Sequence, residues 1–323
     1  ARGRALPAGS CPTVGIAGLA LGGGQGVLGR AYGLTCDSVR AADVVLADAT
    51  ATTADDDLLW ALRGGGGGNL AVVTAFTLAT VPAPDLAVFT LTFPRGSAPA
   101  VLAAWQDWMA VAPDELWSTC VVSAGSPPGA RVSGCLVGPP DAAGRLLDDL
   151  TRRAGARPPR TLRPYGYLDA MRWFAGCSTR SVPQCRAYAP QPFAAGSLVV
   201  ERPMADSAAV VATVAGRRGV DLLFDSLGGA IARVAPDATA FPHRTALAVV
   251  QVYASGAGAG PVAEVRQALT GLVGAGAYVN YLDPAQPDWA RAYYGANATR
   301  LRTIAARYDP DRVFDFPQGL TRL

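Results

Sequence analysis

Apolar residues in the first quarter of the chain come in short runs divided by glycine. Residues 9–33 hold glycine at a density that reads as tight loop, and residues 42–47 (Ala-Asp-Val-Val-Leu-Ala) then read as a β-strand closed by a polar turn. Asp55-Asp56-Asp57 supplies a cap for a short helix through Leu58-Leu59-Trp60-Ala61-Leu62, which Gly64 ends. Residues 72–80 alternate as a strand does, and this first unit, residues 1–84, closes at Pro82-Ala83-Pro84.

From 85 to 275 the pattern becomes strand runs (86–93, 117–122, 197–200) alternating with amphipathic helices, one carrying Val101, Leu102, Trp105, Trp108 and Met109 and another centred on Leu146-Leu147. This predicts an α+β unit with an antiparallel sheet covered by helices. In the tail, 276–323, residues 277–281 read as a strand, followed by helices over 289–294 and 301–307 and an irregular end. No internal repeat is visible.

Composition narrows the classes. Half of the 323 residues are apolar and 16% are charged, enough for two domains with a substantial core. The net charge is +3, and the 28 basic residues, all arginine, are scattered among 25 acidic ones, which argues against a nucleic-acid partner. The longest apolar stretch, residues 70–83, is too short for a membrane span and carries three threonines. The start, Ala1-Arg2-Gly3-Arg4-Ala5, reads as a cut rather than a beginning.

Cysteines stand at 11, 36, 120, 135, 177 and 185 with no Cys-x-x-Cys, and His243 is the single histidine, so no metal site is expected. Cys177 and Cys185 flank a short loop. Cys120 and Cys135 would face each other if Val121-Val122 pairs with Arg131-Val132 across Ser126-Pro127-Pro128-Gly129. Disulfides at both pairs and buried thiols are equally open readings; disulfides would favour an extracytoplasmic location over a cytoplasmic one.

The segment most informative about chemistry runs from Gly9 to Gly26 (GSCPTVGIAGLALGGGQG), where glycine lets backbone amides approach a phosphate or ring closely. It is not a G-x-G-x-x-G dinucleotide fingerprint, since no strand precedes it and no helical pattern opens from it. Three further patterns follow in order. They are Arg63 to Asn69 (RGGGGGN), Gly228-Gly229 with Phe241-Pro242-His243-Arg244, and Tyr278-Val279-Asn280-Tyr281 with Tyr293-Tyr294-Gly295-Ala296-Asn297 and Tyr308-Asp309-Pro310 behind it. Together, from the first residues to the last, they resemble the berberine bridge enzyme-like FAD-linked oxidases of the vanillyl-alcohol oxidase superfamily.

The resemblance implies a fold and a set of roles. Residues 1–84 would be the second half of an FAD-binding domain, 85–275 the substrate domain, and 276–323 a segment returning to the FAD domain. Cys11, followed by Pro12 and Thr13, matches the cysteine that in many members bonds covalently to the flavin. Val14 falls where the family places the gatekeeper residue of oxygen-reactive members, next to Gly15. Gly22, Gly23, Gly24, Gly26, Tyr32, Gly33, Leu34, Gly67, Gly68, Asn69, Val72 and Asn280 fall in cofactor-contacting segments.

Tyr281 matches a tyrosine used as general base, with Tyr278 the competing candidate. A regular strand would send residues three apart to opposite faces, so only one of the two would face the flavin. A phenolate near neutral pH needs a positive neighbour, and Arg233 is the candidate. Gln251 and Tyr253 are candidate substrate contacts, and His243 reads as structural.

The implied reaction is oxidation of a hydroxyl-bearing substrate, a sugar or a secondary-metabolite alcohol, with O2 as acceptor. A dehydrogenase using another acceptor is the second reading, and a non-catalytic saccharide- or partner-binding remnant the third. The family's N-terminal subdomain, with its own phosphate loop and flavin-bonding histidine, has no counterpart in this sequence. The expectation is that this chain alone binds FAD poorly. Ser38 in place of asparagine and Leu70-Ala71 in place of Phe-Gly are mild departures.

Overall fold

The computed structural model describes residues 2–187, 192–256 and 258–323. A seven-stranded sheet organises the middle of the chain, in the order Phe193–Val200, Ala248–Ser255, Val220–Ser226, Leu116–Ser123, Gly129–Val137, Asp85–Phe93, Arg160–Gly166. Every neighbouring pair is antiparallel.

Strand alternation divides this sheet into two chemically different faces. Leu198, Val250, Leu222, Phe224, Cys120 and Val132 point to one side, where they form the main core with Trp105 and Trp108 of the helix Ala98–Ala110. The helices Pro140–Arg153 and Ala259–Val273 cover the same side through Leu147, Leu150, Val265 and Leu269. Trp105 is fully buried, and its indole N–H donates to Ser118 Oγ at 3.1 Å, so its one polar atom is satisfied within the core. The expected antiparallel sheet under helices is therefore present.

By the same register Trp117, Thr119, Val121, Leu223, Asp225, Gln251 and Tyr253 share the opposite face. Against it lies the glycine-rich segment. The Cys135 thiol donates to the Val27 carbonyl at 3.6 Å, and Ser197 Oγ accepts from the Tyr278 N–H at 3.0 Å.

Arg30 fastens the two parts together. Its guanidinium is buried and donates to the carbonyls of Leu116 (2.6 Å), Ala112 (3.0 Å) and Leu227, and burial lowers its pKa to about 10. Leu116 opens the strand that carries Trp117, and Leu227 follows the strand that carries Asp225.

A three-stranded sheet (Ala51–Thr53, Val39–Val45, Val72–Leu78) accompanies the first part of the chain. The helix Asp56–Leu62 is capped as expected, with Asp55 Oδ1 accepting from Leu58 N at 3.0 Å. Leu62 and Leu70 share a core with Val279, Tyr294, Leu301 and Leu320, so the tail packs against the first part of the chain.

Three expectations need correction. A helix, Ile16–Leu21, does open inside the glycine-rich segment, and its last two residues, Ala20 and Leu21, are buried. Residues 278–281 are not a strand: Tyr278 is extended and Val279–Tyr281 is a 3-10 turn, with Tyr281 N donating to the Tyr278 carbonyl at 2.9 Å.

The hairpin forms, but in a register that sets Val121 opposite Arg131 and Val122 opposite Ala130, which places Cys120 against Val132 and Cys135 against Trp117 rather than against each other. The two cysteines point to opposite faces and both are free thiols, whereas Cys177 and Cys185 form a disulfide. Among the described residues no helix is long and apolar enough to cross a membrane, and no cluster of three or more candidate metal ligands occurs.

Candidate active site

A cavity of about 490 Å³ lies between the open face of the large sheet and the glycine-rich segment. The sheet contributes Trp117 and Asp225, the tail contributes Tyr278 and Tyr281, and the loop contributes Cys11 and Gln25. Of the residues expected at the cofactor, Cys11, Val14, Gly15, Gly26, Gly67, Asn69 and Asn280 line it.

The 3-10 turn, unlike a strand, brings both tyrosines to the same cavity. Their rings meet edge to face with centroids 5.2 Å apart. Tyr278 is the more tightly held. Its hydroxyl oxygen accepts from Gly24 N (2.8 Å), Gln25 N (3.3 Å) and Asn280 Nδ2 (2.8 Å), and burial pushes its pKa up to about 12. Asn280 also donates to the Leu19 carbonyl at 2.9 Å, tying the turn to the glycine-rich helix. Gly22 is required at this junction, since a Cβ there would stand 2.0 Å from Asn280 Oδ1.

Tyr281 accepts from Gln25 Nε2 at 3.2 Å. Burial first, then the negative charge of Asp225, drive its pKa upward, so the phenolate is disfavoured. Arg233 does not relieve this, because its side chain is turned to the surface and paired with Asp114. The expected positive neighbour of Tyr281 is thus replaced by a carboxylate.

Asp225 was missed by sequence reasoning. Burial pushes its pKa up to about 6, partly offset by Thr119, its cross-strand partner. The signal was present: in Val-Asp-Leu-Leu-Phe-Asp-Ser (220–226) the polar face contains two carboxylates, and a carboxylate on the cavity side of a mostly apolar strand invites a chemical explanation.

Other expected residues stand behind or beside the cavity. Gly22, Gly23 and Gly24 form the turn beneath Tyr278, and Thr35 N donates to the Gly24 carbonyl at 2.9 Å. Leu34 is fully buried, Tyr32 packs at the edge of the cluster containing Trp117, and Gly33 sits against Asp37, which holds Arg244 at 2.8 Å. Gly68 and Val72 are exposed, and Pro12 and Thr13 follow Cys11 on the outer rim, Thr13 Oγ1 lying 3.7 Å from its sulfur. Gln251 and Tyr253 are on the cavity side of the sheet but outside the cavity itself. Asn69 serves structure, donating to Gly65 O and accepting from Leu320 N, both at 3.0 Å.

The FAD-linked oxidoreductase YgaK of Bacillus subtilis is 31% identical over 99% of this chain and 73% of its own length. The chain belongs to the berberine bridge enzyme-like family of FAD-linked oxidases. Consistently, the family description "Berberine and berberine like" matches residues 277–321 and "FAD binding domain" matches residues 1–55. Glucooligosaccharide oxidase of Sarocladium strictum is 31% identical over 96% of this chain and 68% of its own length. The solved structure of Physcomitrella patens BBE-like 1 superposes with a TM-score of 0.91 at 26% identity, covering 98% of this chain and 72% of the moss protein.

The cavity suits the family's cofactor. Cβ atoms built at Gly15 and Gly18, both lining residues, meet no protein atom, so this wall is open to a flat ring system. Val14 and Ile16 beside it are 50% and 42% exposed, apolar surface that a bound isoalloxazine would cover, and Cys11 presents its exposed thiol at the rim.

Proposed function

We propose that this berberine bridge enzyme-like oxidase converts a carbinol, in a sugar or a secondary-metabolite alcohol, to the carbonyl and passes the electrons to O2, giving H2O2. The observation that carries this reading is Asp225 beside Tyr281 on the cavity wall, a carboxylate with a pKa pushed up to about 6 next to a hydroxyl that resists ionisation. Bound FAD supplies the hydride acceptor for the carbinol carbon.

Asp225 is mostly ionised at neutral pH and takes the substrate hydroxyl proton, with Tyr281 relaying it: the phenol gives its proton to Asp225 as it receives one from the substrate. Gln25 Nε2 holds the Tyr281 oxygen in place for this exchange. The tyrosine-as-phenolate scheme is replaced by a carboxylate base acting through a neutral tyrosine. The name of the Sarocladium strictum relative favours a saccharide as the substrate.

The reading is tested by mixing the flavin-loaded protein anaerobically with sugars and aromatic alcohols, then admitting air. Loss of yellow absorption followed by its return with stoichiometric peroxide is expected. Bleaching without return in air would reassign the protein as a dehydrogenase, and no bleaching with any alcohol would reject the function. Tyr281→Phe is expected to lower turnover by roughly ten- to a hundredfold while retaining flavin, and unchanged turnover would remove it from the proton path.

We assign Cys11 as the covalent tether. After acid precipitation and washing, the wild-type pellet should stay yellow and the Cys11→Ser pellet should be colourless. A yellow Cys11→Ser pellet would place the bond elsewhere.

A further inference from the structure

The Phe-Pro-His-Arg motif at 241–244 lies outside the cavity lining, and the proton path at Asp225 does not use it. Phe241, His243 and Arg244 are nonetheless buried. Arg244 anchors the motif to the first part of the chain. Its guanidinium donates to both carboxylate oxygens of Asp37 at 2.8 Å and lies 5.2 Å from the centroid of the Phe241 ring. Asp37 in turn accepts from Leu34 N at 2.9 Å, so the anchor is fixed to the backbone that follows the glycine-rich turn.

From this anchor a column of rings runs to the cavity. His243, Phe241, Tyr278 and Tyr281 follow one another with centroid separations of 5.7, 6.0 and 5.2 Å and planes 82°, 81° and 85° apart. At near right angles each ring meets its neighbour edge to face, so that turning one is opposed by the next. The outer end is held at His243, whose Nδ1 stands 3.3 Å from Glu201 Oε1, and the inner end is Tyr281. Phe241 also bears on the backbone that grips Tyr278. A Cβ built on Gly23 would stand 3.0 Å from the Phe241 ring, and the next two amides, of Gly24 and Gln25, are the ones that donate to the Tyr278 hydroxyl. One side chain therefore sets both the ring of Tyr278 and the donors that hold its oxygen.

We propose that Phe241 is a positioning residue for the proton transfer, holding Tyr281 through Tyr278 where it meets Asp225 and the substrate, with His243 and Arg244 keeping the Phe241 ring in place. This rests on the Tyr281–Asp225 relay given above. Any apolar side chain would fill the space behind Tyr278, whereas a flat ring held by a guanidinium and an imidazole supplies an orientation as well. Proton transfer depends steeply on the separation and angle of its partners, and a displacement of about 1 Å imposed from outside a site can cost on the order of a hundredfold in rate.

The test is a double-mutant cycle on the flavin-loaded protein, read as kcat and KM for an alcohol that bleaches it. Phe241→Leu keeps apolar volume and removes the ring. It should lower kcat roughly five- to twentyfold with KM within about twofold and the flavin retained, since Phe241 is not part of the cavity wall. In a Tyr281→Phe background the same substitution should have no further effect on kcat, because the group it positions is gone. An unchanged kcat in the wild-type background, or losses that multiply so that Phe241→Leu costs the same factor in both backgrounds, would make Phe241 an ordinary core residue and overturn the proposal while leaving the relay intact. Should Phe241→Leu fail to hold flavin, His243→Gln carries the same cycle: it withdraws the outer ring, keeps a side-chain N–H for Glu201, and should lower kcat roughly two- to fivefold in the wild-type background alone. If Tyr281→Phe by itself leaves kcat unchanged, the relay falls and the positioning role with it.

Discussion

Asp225→Asn is expected to lower kcat/KM by roughly two to four orders of magnitude while the protein keeps its flavin and its fold. Asparagine preserves the shape of the side chain and removes the one carboxylate among the described residues that line the cavity. In wild type kcat/KM should rise with pH and level off above about 6, following ionisation of this carboxylate. The variant's residual rate should lack that limb.

Stability should move the other way. The folded pKa of about 6 lies above the ordinary aspartate value of about 4, so between these the folded state binds more protons and loses stability as pH rises. Above pH 6 the ionised Asp225 costs up to about 3 kcal/mol, which asparagine does not. Thermal melts at pH 4 and pH 8 check this: the variant should gain on wild type only at the higher pH. Full activity in the variant would mean that Asp225 is a buried structural carboxylate and that the base lies elsewhere.

Gly64→Ala is expected to be strongly destabilising. Gly64 has φ +122, and a Cβ there would stand 2.3 Å from the backbone nitrogen of Phe241, an atom with no freedom to yield. The backbone strain and the overlap together should cost about 3–5 kcal/mol. Since Gly64 N and Gly66 N both donate to the Leu21 carbonyl at 2.9 Å, the displacement would pass directly to the glycine-rich helix. Urea unfolding reads the loss. Gly68→Ala is the control: it also has positive φ (+73) but meets nothing within 4 Å, and should cost only about 1 kcal/mol. Equal costs would mean that backbone conformation, not the approach of Phe241, makes glycine necessary at 64.

What could be read from the sequence divides along physical lines. The helix after Asp55 and the strand runs at 86–93, 117–122 and 197–200 were legible because a cap and a short apolar run act locally. The sheet's polar face was harder. Asp225 matters only because of what stands opposite it, and no local pattern states which of a strand's two faces will meet the cofactor. The turn at Tyr278 was misread because Ala-Tyr-Val-Asn-Tyr has strong strand propensity, whereas hydrogen bonds from Gly24, Gln25 and Asn280, the first two about 250 residues away in sequence, hold it as a turn. Of the two readings left open for Cys120 and Cys135 the register selects free thiols, and the role expected of Arg233 is overridden by an ion pair with a residue 119 positions away.

Arg30 bears on any attempt to exchange parts among these oxidases. Among the described residues its guanidinium has no carboxylate partner and is satisfied by backbone carbonyls alone, drawn from 112–116 and from 227. Carbonyls exist whatever the side chains are, so the clamp reads the path of the backbone and ignores its sequence. A sheet with different lining residues would still meet this clamp provided those two backbone segments return to the same places. A lysine in its stead, with one compact ammonium, could not span both segments, and that tolerance would be lost with it.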